Sequence, residues 1–481
     1  MRKPARVSRP ASAAHSSRAH WLELADGWAP LALVVICTLW AAVQLYRVAA
    51  MEESPAGYEL ERVSRMIAQD RGFSLPNDHR WLFVPQPGVS ATAWVDPVYA
   101  FALAGMYSTF GERAPEVALS LNVAAAVACF MILFQLVQRF GGAFVAVIAV
   151  TVLALHPWFG TVALSLNTAM WAALLITLTA LLLLRVIEKP TLFRALTLGV
   201  CAGVTALTCS STLLFIPVIA ILVFTLTPGR VPRRVVIAVT GFLVACATVA
   251  PWTARNWLEF GEFVPVRTGA GQLAHVGTVM LGSTVEPESA VLRVHPGWTA
   301  STPRDAVFTG ASTDGRNALE RAQGQFYRIT PPPGFDEMNE AQRDRALLDI
   351  ARDYVIDNPL LIAVMGVFKL ELFARRTGTL GVWVLLVAYV SALLLYRERK
   401  VLALNVLVLV YALPFALFIT YFHRYRVPIE PLVVALATVG SARLAAWIAA
   451  RQATTFNPRR WSLPGATIRP AAGMRGTTGA R

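Results

Sequence analysis

Four stretches of this chain, at 116–138, 235–252, 378–396 and 401–421, run for close to twenty residues with almost no charged side chain. An α-helix needs about twenty apolar residues to cross a hydrocarbon layer roughly 30 Å thick. Charged residues make up only 15% of the chain, whereas a soluble globular protein has roughly 25%. We therefore predict an all-α, polytopic membrane protein.

The positions of Lys and Arg predict about ten transmembrane helices with both termini in the cytoplasm. The predicted spans are 28–48, 116–138, 141–157, 164–186, 193–210, 211–228, 235–252, 378–396, 401–421 and 428–449. Basic connectors such as 230–234 then all lie on one side of the membrane. This places a basic cytoplasmic tail at 1–27, a membrane domain at 28–450 and a second basic tail at 451–481.

The net charge of +14 does not indicate nucleic-acid binding, because the basic residues flank apolar segments instead of covering a soluble domain. Basic tails on the cytoplasmic face favour contact with anionic membrane lipids. The sequence identifies no protein partner.

Two long segments, 51–115 and 253–377, lie on the opposite, exoplasmic face in this topology. Of the 29 acidic residues, 23 lie in 51–116 and 253–357. Carboxylate chemistry is therefore expected on that face.

The first outer segment contains a predicted amphipathic helix that starts near Tyr58 and ends at the Gly72 turn. Helical spacing places Glu59 on the apolar face and points Glu61 to the other side. A carboxyl held on an apolar face loses solvation, which raises its pKa and makes it a better general base than one in water. The alternative is that Glu59 pairs with Arg62 on the helix surface.

A second apolar stretch at 97–111 is too short to span a membrane comfortably. We predict a helix along the interface, where Trp94, Tyr99 and Tyr107 suit the headgroup level. Asp96, directly before this helix, is predicted either to cap its N-terminus or to contact a substrate.

These segments carry a family resemblance. GYELERVSRMIAQDRGFSLP at 57–76 and TAWVDPVYAFALAGMYSTFG at 92–111 resemble the first outer loop of bacterial C-type (GT-C) glycosyltransferases, in particular the protein mannosyltransferase and aminoarabinose transferase families. PWTARNWLEFGEFVPVRTGAG at 251–271 is similar to the start of their second outer loop, and HRYRVPIEPLV at 423–433 to the entry into their final helix. The resemblance covers most of 28–450, and its specificity lies in the order of the motifs.

The resemblance implies a sugar donor linked to polyprenyl phosphate and a lipid, glycan or protein acceptor, at the exoplasmic face of a bacterial cytoplasmic (inner) membrane. It places Glu59 as the catalytic base, with Glu52 and Glu53 as alternatives because many members carry an adjacent acidic pair. The implied substrate-binding residues are Tyr58, Asp96, Tyr99, Arg255, Lys369, His423, Arg424 and Arg426.

Arg424 and Arg426 are the candidates for holding the donor phosphate, because a guanidinium offers a fork of donors to phosphate oxygens. The alternative is that these cations anchor at lipid headgroups, bind backbone carbonyls or pair with Glu430. No cofactor or metal site is evident in the sequence, and a single divalent ion held by Glu59 and water stays open as an alternative.

A different class of function is a multi-span transporter or a non-catalytic membrane scaffold. The spans contain almost no ionisable residues, and the chain shows no internal repeat, both of which weigh against an ion-coupled transporter. The sequence also lacks the P-loop, HExxH and GxSxG motifs of other enzyme classes.

Overall fold

The computed structural model describes residues 13–52, 57–76, 88–275, 277–278, 333–375, 384, 386–390, 398–416 and 423–455. Over these residues the fold is almost entirely helical, which confirms the predicted all-α class. The helices are α1 (Ala13–Ala49), α2 (Tyr58–Ala68), α3 (Pro97–Phe110), α4 (Ala114–Ala154), α5 (Pro157–Ala163), α6 (Ala169–Glu188), α7 (Leu192–Thr208), α8 (Phe215–Leu226), α9 (Val231–Phe260), α10 (Ala270–His275), α11 (Glu340–Asp357), α12 (Pro359–Arg375), α13 (Arg399–Ala412) and α14 (Glu430–Thr455). Strands β1 (Ser74–Pro76) and β2 (Val89–Ala91) form one antiparallel pair.

Within the described residues, five helical stretches are long and apolar enough to cross a membrane. They are Gly27–Ala49, Pro97–Ala154, Ala169–Glu188, Val231–Phe260 and Val427–Ala449. The predicted spans at 193–210 and 211–228 correspond to the shorter apolar helices α7 and α8. The polytopic architecture is confirmed, while the number of crossings stays a prediction.

Helix α4 contains a bend where the sequence predicts a break between two spans. Gly142 has φ 83° and ψ 176° inside an otherwise helical run of 41 residues. Glycine adopts such a backbone conformation without the steric cost of a Cβ atom. The two predicted spans at 116–138 and 141–157 thus correspond to two helical segments joined by a kink at this glycine.

Helices α7 and α9 pack with their backbones in close contact. A Cβ atom on Gly199 would lie 2.5 Å from the carbonyl oxygen of Gly241, and one on Gly203 would lie 2.5 Å from Thr248 Cβ. Small residues at such a crossing are typical of helix packing within membranes. Helices α1, α6 and α14 pack around α4 to complete the core of the bundle.

Basic side chains and one carboxylate meet at one end of the bundle. Glu188 forms ion pairs of 2.7 Å with both Arg139 and Lys400. Arg233, near the start of α9, donates a hydrogen bond of 2.8 Å to Pro190 O. This is the end predicted to face the cytoplasm, and that orientation stays a prediction.

The opposite end of α9 is tied to the strand pair. Arg255 Nη1 donates to Thr92 O at 2.8 Å, and its Nη2 donates to Phe73 O at 3.0 Å. Trp252 Nε1 donates to Val266 O at 2.6 Å. These bonds hold the strands, the start of α3 and the segment after α9 together, and we call this assembly the outer frame because this end is predicted to be exoplasmic.

Candidate active site

Helix α2 starts at Tyr58, as predicted, with an unusual backbone conformation. Tyr58 has φ 48°, which non-glycine residues rarely adopt. The backbone N–H of Gly57 donates to Glu61 Oε2 at 3.0 Å, so a side chain one turn further along holds the start of the helix. Glu59 follows directly and is half-buried, whereas the Tyr58 residue is 67% exposed.

Glu61 does not point away from the protein, and that part of the sequence interpretation is wrong. Tyr107 Oη, on α3, donates to Glu61 Oε1 at 2.7 Å, and Arg65 Nε donates to the same oxygen at 3.2 Å. Burial opposes ionisation of Glu61, but the hydrogen bonds from Tyr107, Gly57 and Arg65 outweigh it and lower the pKa of the carboxyl. Glu61 is therefore a charged carboxylate that joins α2 to α3.

Asp96 occupies the N-cap position of α3, but its side chain makes no hydrogen bond to that helix. Its Oδ1 accepts a hydrogen bond of 3.1 Å from the backbone N–H of Ser210, and its Oδ2 lies 3.8 Å from Arg267 Nη1. Burial raises the pKa of Asp96, while the Arg267 charge and the Ser210 N–H oppose that shift. The prediction that the Asp96 side chain caps α3 is wrong, because its partners, Ser210 and Arg267, come from two other segments. Arg267 was not among the residues predicted for the site.

A chain of contacts connects Asp96 to the turn that contains Arg424. Ser210, which binds Asp96, leads into α8, where the centre of the Phe215 ring lies 6.5 Å from that of the Tyr411 ring. Tyr411 Oη donates to Tyr425 O at 2.9 Å. Arg424 is exposed, and its guanidinium lies 5.2 Å from the centre of the Tyr425 ring. Asp96 and Arg424 therefore belong to the same end of the bundle.

Helix α5 brings the Arg424 turn near the start of α2. The 3₁₀ turns His423–Tyr425 and Val427–Ile429 both contact α5. Gly57 packs against Leu166, just after α5, at a position where a Cβ atom would lie 3.4 Å from Leu166 Cβ. The predicted base Glu59 and the predicted phosphate ligand Arg424 thus lie on the same side of the bundle.

Arg426 has the contacts of a structural residue. Its Nε lies 2.8 Å from Glu430 Oε1, and its Nη1 donates to Phe373 O at 3.0 Å. The side chain of Arg426 is 1% exposed and that of Glu430 is fully buried. This is the pairing that the sequence analysis gave as the alternative to phosphate binding.

Lys369, Arg255 and Tyr99 also bind protein groups in this structure. Lys369 Nζ donates a hydrogen bond to Gly277 O. The Arg255 guanidinium donates to two backbone carbonyls, Thr92 O and Phe73 O. Tyr99 is buried, and its Oη donates to Asn122 Oδ1 at 3.3 Å. Their predicted roles in substrate binding stay predictions.

The remaining predicted residues are only partly described. Glu52 is exposed, Glu53 lies outside the described residues, and only the backbone of His423 is described. Among the residues that the structure describes, no group of three or more His, Cys, Asp or Glu side chains is placed to hold a metal ion.

Two carboxylates on α11 bind the same region and were not predicted from the sequence. Glu340 Oε2 accepts a hydrogen bond of 2.6 Å from Thr92 Oγ1, and its Oε1 accepts one of 2.8 Å from Ala93 N and a short one from Thr268 Oγ1. Asp344 Oδ1 accepts from Gln272 N at 3.1 Å. Asn339 and Gln342 form a capping box at the start of α11, a signal that predicts the helix but not its partners.

Comparison with known proteins gives a family match within this region. Residues 92–254 match the family model of dolichyl-phosphate-mannose-protein mannosyltransferase. The matched segment starts next to Asp96 and continues through α3 to most of α9. No curated protein matches the sequence.

Two solved structures of the oligosaccharyltransferase of Archaeoglobus fulgidus share the fold with a TM-score of 0.51. The complex with zinc and sulfate is 13% identical, and the match covers 88% of this chain and 50% of that one. AglB in complex with an inhibitory peptide and a dolichol-phosphate is 15% identical, with 89% and 52% covered. This chain has the GT-C fold. The resemblance predicted from the sequence is therefore confirmed.

The GT-C chain described here spans about half the length of these oligosaccharyltransferases. ArnT from Cupriavidus metallidurans bound to undecaprenyl phosphate also matches, with 16% identity, a TM-score of 0.38, and 88% of this chain and 81% of that chain covered. A TM-score of this size does not by itself indicate a common fold.

Proposed function

We propose that this chain is a glycosyltransferase that moves a sugar from a polyprenyl-phosphate-linked donor to a lipid, glycan or protein acceptor. The observation that carries the proposal is the position of Glu59 and Arg424 on one side of a GT-C bundle, linked through α5. The match of residues 92–254 to the mannosyltransferase family model supports the same class of reaction. The site lies at the exoplasmic face of a bacterial cytoplasmic membrane.

The chemical step needs a base and a stabilised leaving group. The acceptor hydroxyl attacks the anomeric carbon of the sugar and forms the new C–O bond. The bond from that carbon to the phosphate oxygen breaks, and the hydroxyl proton passes to the Glu59 carboxylate. Glu59 suits this role because it is half-buried at the start of α2. Glu61 does not, because its hydrogen bonds lower the pKa of its carboxyl and so make it a weaker base.

The polyprenyl phosphate leaves with negative charge that a cation must stabilise. Arg424 is exposed at the outer end of the bundle, so its guanidinium is accessible to a lipid phosphate. Arg426, two residues after Arg424, stabilises this turn through its buried ion pair with Glu430. Asp96, held between Ser210 and Arg267, is placed to accept hydrogen bonds from sugar hydroxyls.

The test uses purified protein with undecaprenyl-phosphate mannose, glucose or arabinose and follows sugar release or transfer. Glu59→Gln is expected to lower the rate by at least about a hundredfold, as loss of a general base does. Glu112→Gln is the matched control, because Glu112 is exposed and its ion pair with Arg65 lies on the surface.

Three results would change the proposal. Full activity of Glu59→Gln would move the base to Glu52 or Glu53, which the corresponding Gln variants would identify. Loss of activity in Glu112→Gln would show that the measurement reports folding instead of chemistry. Failure of the wild-type protein with every lipid-linked sugar would favour a transporter or scaffold.

A further inference from the structure

Helix α10 carries two buried polar side chains that lack hydrogen-bond partners. Gln272 is 3% exposed and His275 is 7% exposed. Gln272 Nε2 and His275 Nδ1 have no hydrogen-bond partner in the part of the chain that the structure describes. Buried polar atoms are nearly always hydrogen-bonded, so each such atom indicates a partner outside the described residues, and a bound ligand is one that the neighbouring donor site would supply.

The two side chains share one face of a rigidly held helix. Residues three apart in an α-helix lie next to each other on its surface. Helix α10 packs directly against α11, because a Cβ atom on Gly271 would lie 1.7 Å from Asp344 O, and Gln272 N donates to Asp344 Oδ1. Helix α10 is therefore held closely against α11.

Helix α10 starts beside the proposed donor site. Gly269 lies against the Trp94 ring, where a Cβ atom would come within 3.0 Å of Trp94 Cζ3. Arg267, two residues earlier, lies 3.8 Å from Asp96. The segment that contacts Asp96 and Trp94 thus continues directly into the helix that carries Gln272 and His275.

The chemistry of the pair fits a hydroxyl group. The Gln272 amide nitrogen donates a hydrogen bond, and a neutral imidazole nitrogen accepts one. Burial lowers the pKa of His275, so the imidazole is neutral at pH 7. A hydroxyl group can accept the hydrogen bond from Gln272 and donate one to His275, whereas an anion can only accept.

We propose that Gln272 and His275 bind a hydroxyl of the donor's sugar ring. This inference rests on the proposed function and names the residues that recognise the sugar instead of the phosphate. The pair thereby contributes to the choice of sugar.

The test compares Gln272→Met and His275→Leu with the wild type in thermal-shift titrations. The probes are undecaprenyl-phosphate mannose, glucose and arabinose, together with sugar-free undecaprenyl phosphate. Each variant is expected to keep the melting temperature of the ligand-free protein, because Gln272 Nε2 and His275 Nδ1 have no hydrogen-bond partner among the described residues. Each is expected to bind the preferred sugar lipid about five- to tenfold more weakly, the loss of one neutral hydrogen bond, while binding of the sugar-free lipid is unchanged. Leu273→Met, in the same helix, is the matched control and is expected to match the wild type.

Several outcomes would overturn the inference. Unchanged affinity for the sugar lipid in both variants would show that water alone occupies the site. Equal weakening for the sugar lipid and the sugar-free lipid would assign the pair to the phosphate, and an effect confined to acceptor KM would assign it to the acceptor. A fall in melting temperature without ligand would show a structural role. If no lipid-linked sugar stabilises the wild type, the proposed function fails and the inference fails with it.

Discussion

The carboxylate of Glu340 binds the hydroxyl of Thr92, at 2.6 Å, across 248 residues of sequence. The same carboxylate accepts hydrogen bonds from Ala93 N and Thr268 Oγ1. Helix α11 is thereby fastened to the segment that leads into Asp96 and to the segment that leads into α10. This connection holds together the parts of the outer frame that surround the proposed donor site.

Glu340→Ala is expected to destabilise the protein by about 2–3 kcal/mol, because two buried hydroxyls and a backbone N–H lose a charged acceptor. A lower melting temperature in detergent is the measurement. Glu337→Ala is the control, since Glu337 is exposed one turn earlier. Equal melting temperatures for wild type and Glu340→Ala would contradict the role of this connection.

The docking of α11 is expected to depend on pH. Burial raises the pKa of Asp344 to about 6 and also raises the pKa of Glu340, although hydrogen bonds oppose both shifts. A carboxyl with a raised pKa binds more protons in the folded state than in the unfolded state between about pH 4 and pH 6, so its contribution to stability falls as pH rises through that window.

Asp344→Asn removes the titrating carboxyl at this position. The difference in melting temperature between pH 5 and pH 7.5 is therefore expected to be smaller in Asp344→Asn than in the wild type. An identical difference in the two proteins would show that Asp344 does not titrate in this range.

Gly203→Ala is expected to destabilise the contact between α7 and α9 by about 1–3 kcal/mol, the cost of overpacking a close contact. The added Cβ atom would lie 2.5 Å from Thr248 Cβ and 2.9 Å from Ala245 O. Gly105→Ala in α3 is the control, because its Cβ atom would meet nothing within 4 Å. The melting temperatures of the two variants are compared, and a Gly203→Ala protein as stable as Gly105→Ala would contradict the close packing.

Arg426 is expected to act as a structural residue. Glu430→Gln should cost about 3–5 kcal/mol because it leaves a buried guanidinium without its carboxylate, whereas Arg426→Met combined with Glu430→Leu should restore much of the stability. The double variant is expected to bind undecaprenyl phosphate within about twofold of the wild type. A loss of binding in a stably folded double variant would instead return Arg426 to the phosphate site.

Local sequence signals predicted the elements of the site better than their contacts. The amphipathic pattern placed the start of α2 at Tyr58, and two apolar stretches separated at Arg139 placed the break in α4 near Gly142, because both features depend on nearby residues. Helical spacing failed for Glu61, since Tyr107 comes from a different helix 46 residues away. It also gave no indication that Ser210 and Arg267 meet Asp96. These partners depend on how distant segments pack, which periodicity does not encode.

The position of a bound undecaprenyl phosphate, measured by cryo-electron microscopy, tests the proposed donor site most directly. We expect the phosphate within hydrogen-bond distance of Arg424, at the end of the bundle where Glu59 lies. A phosphate bound instead near Glu188, at the other end, or separated from Glu59 by more than the width of one sugar ring, would contradict the proposed reaction.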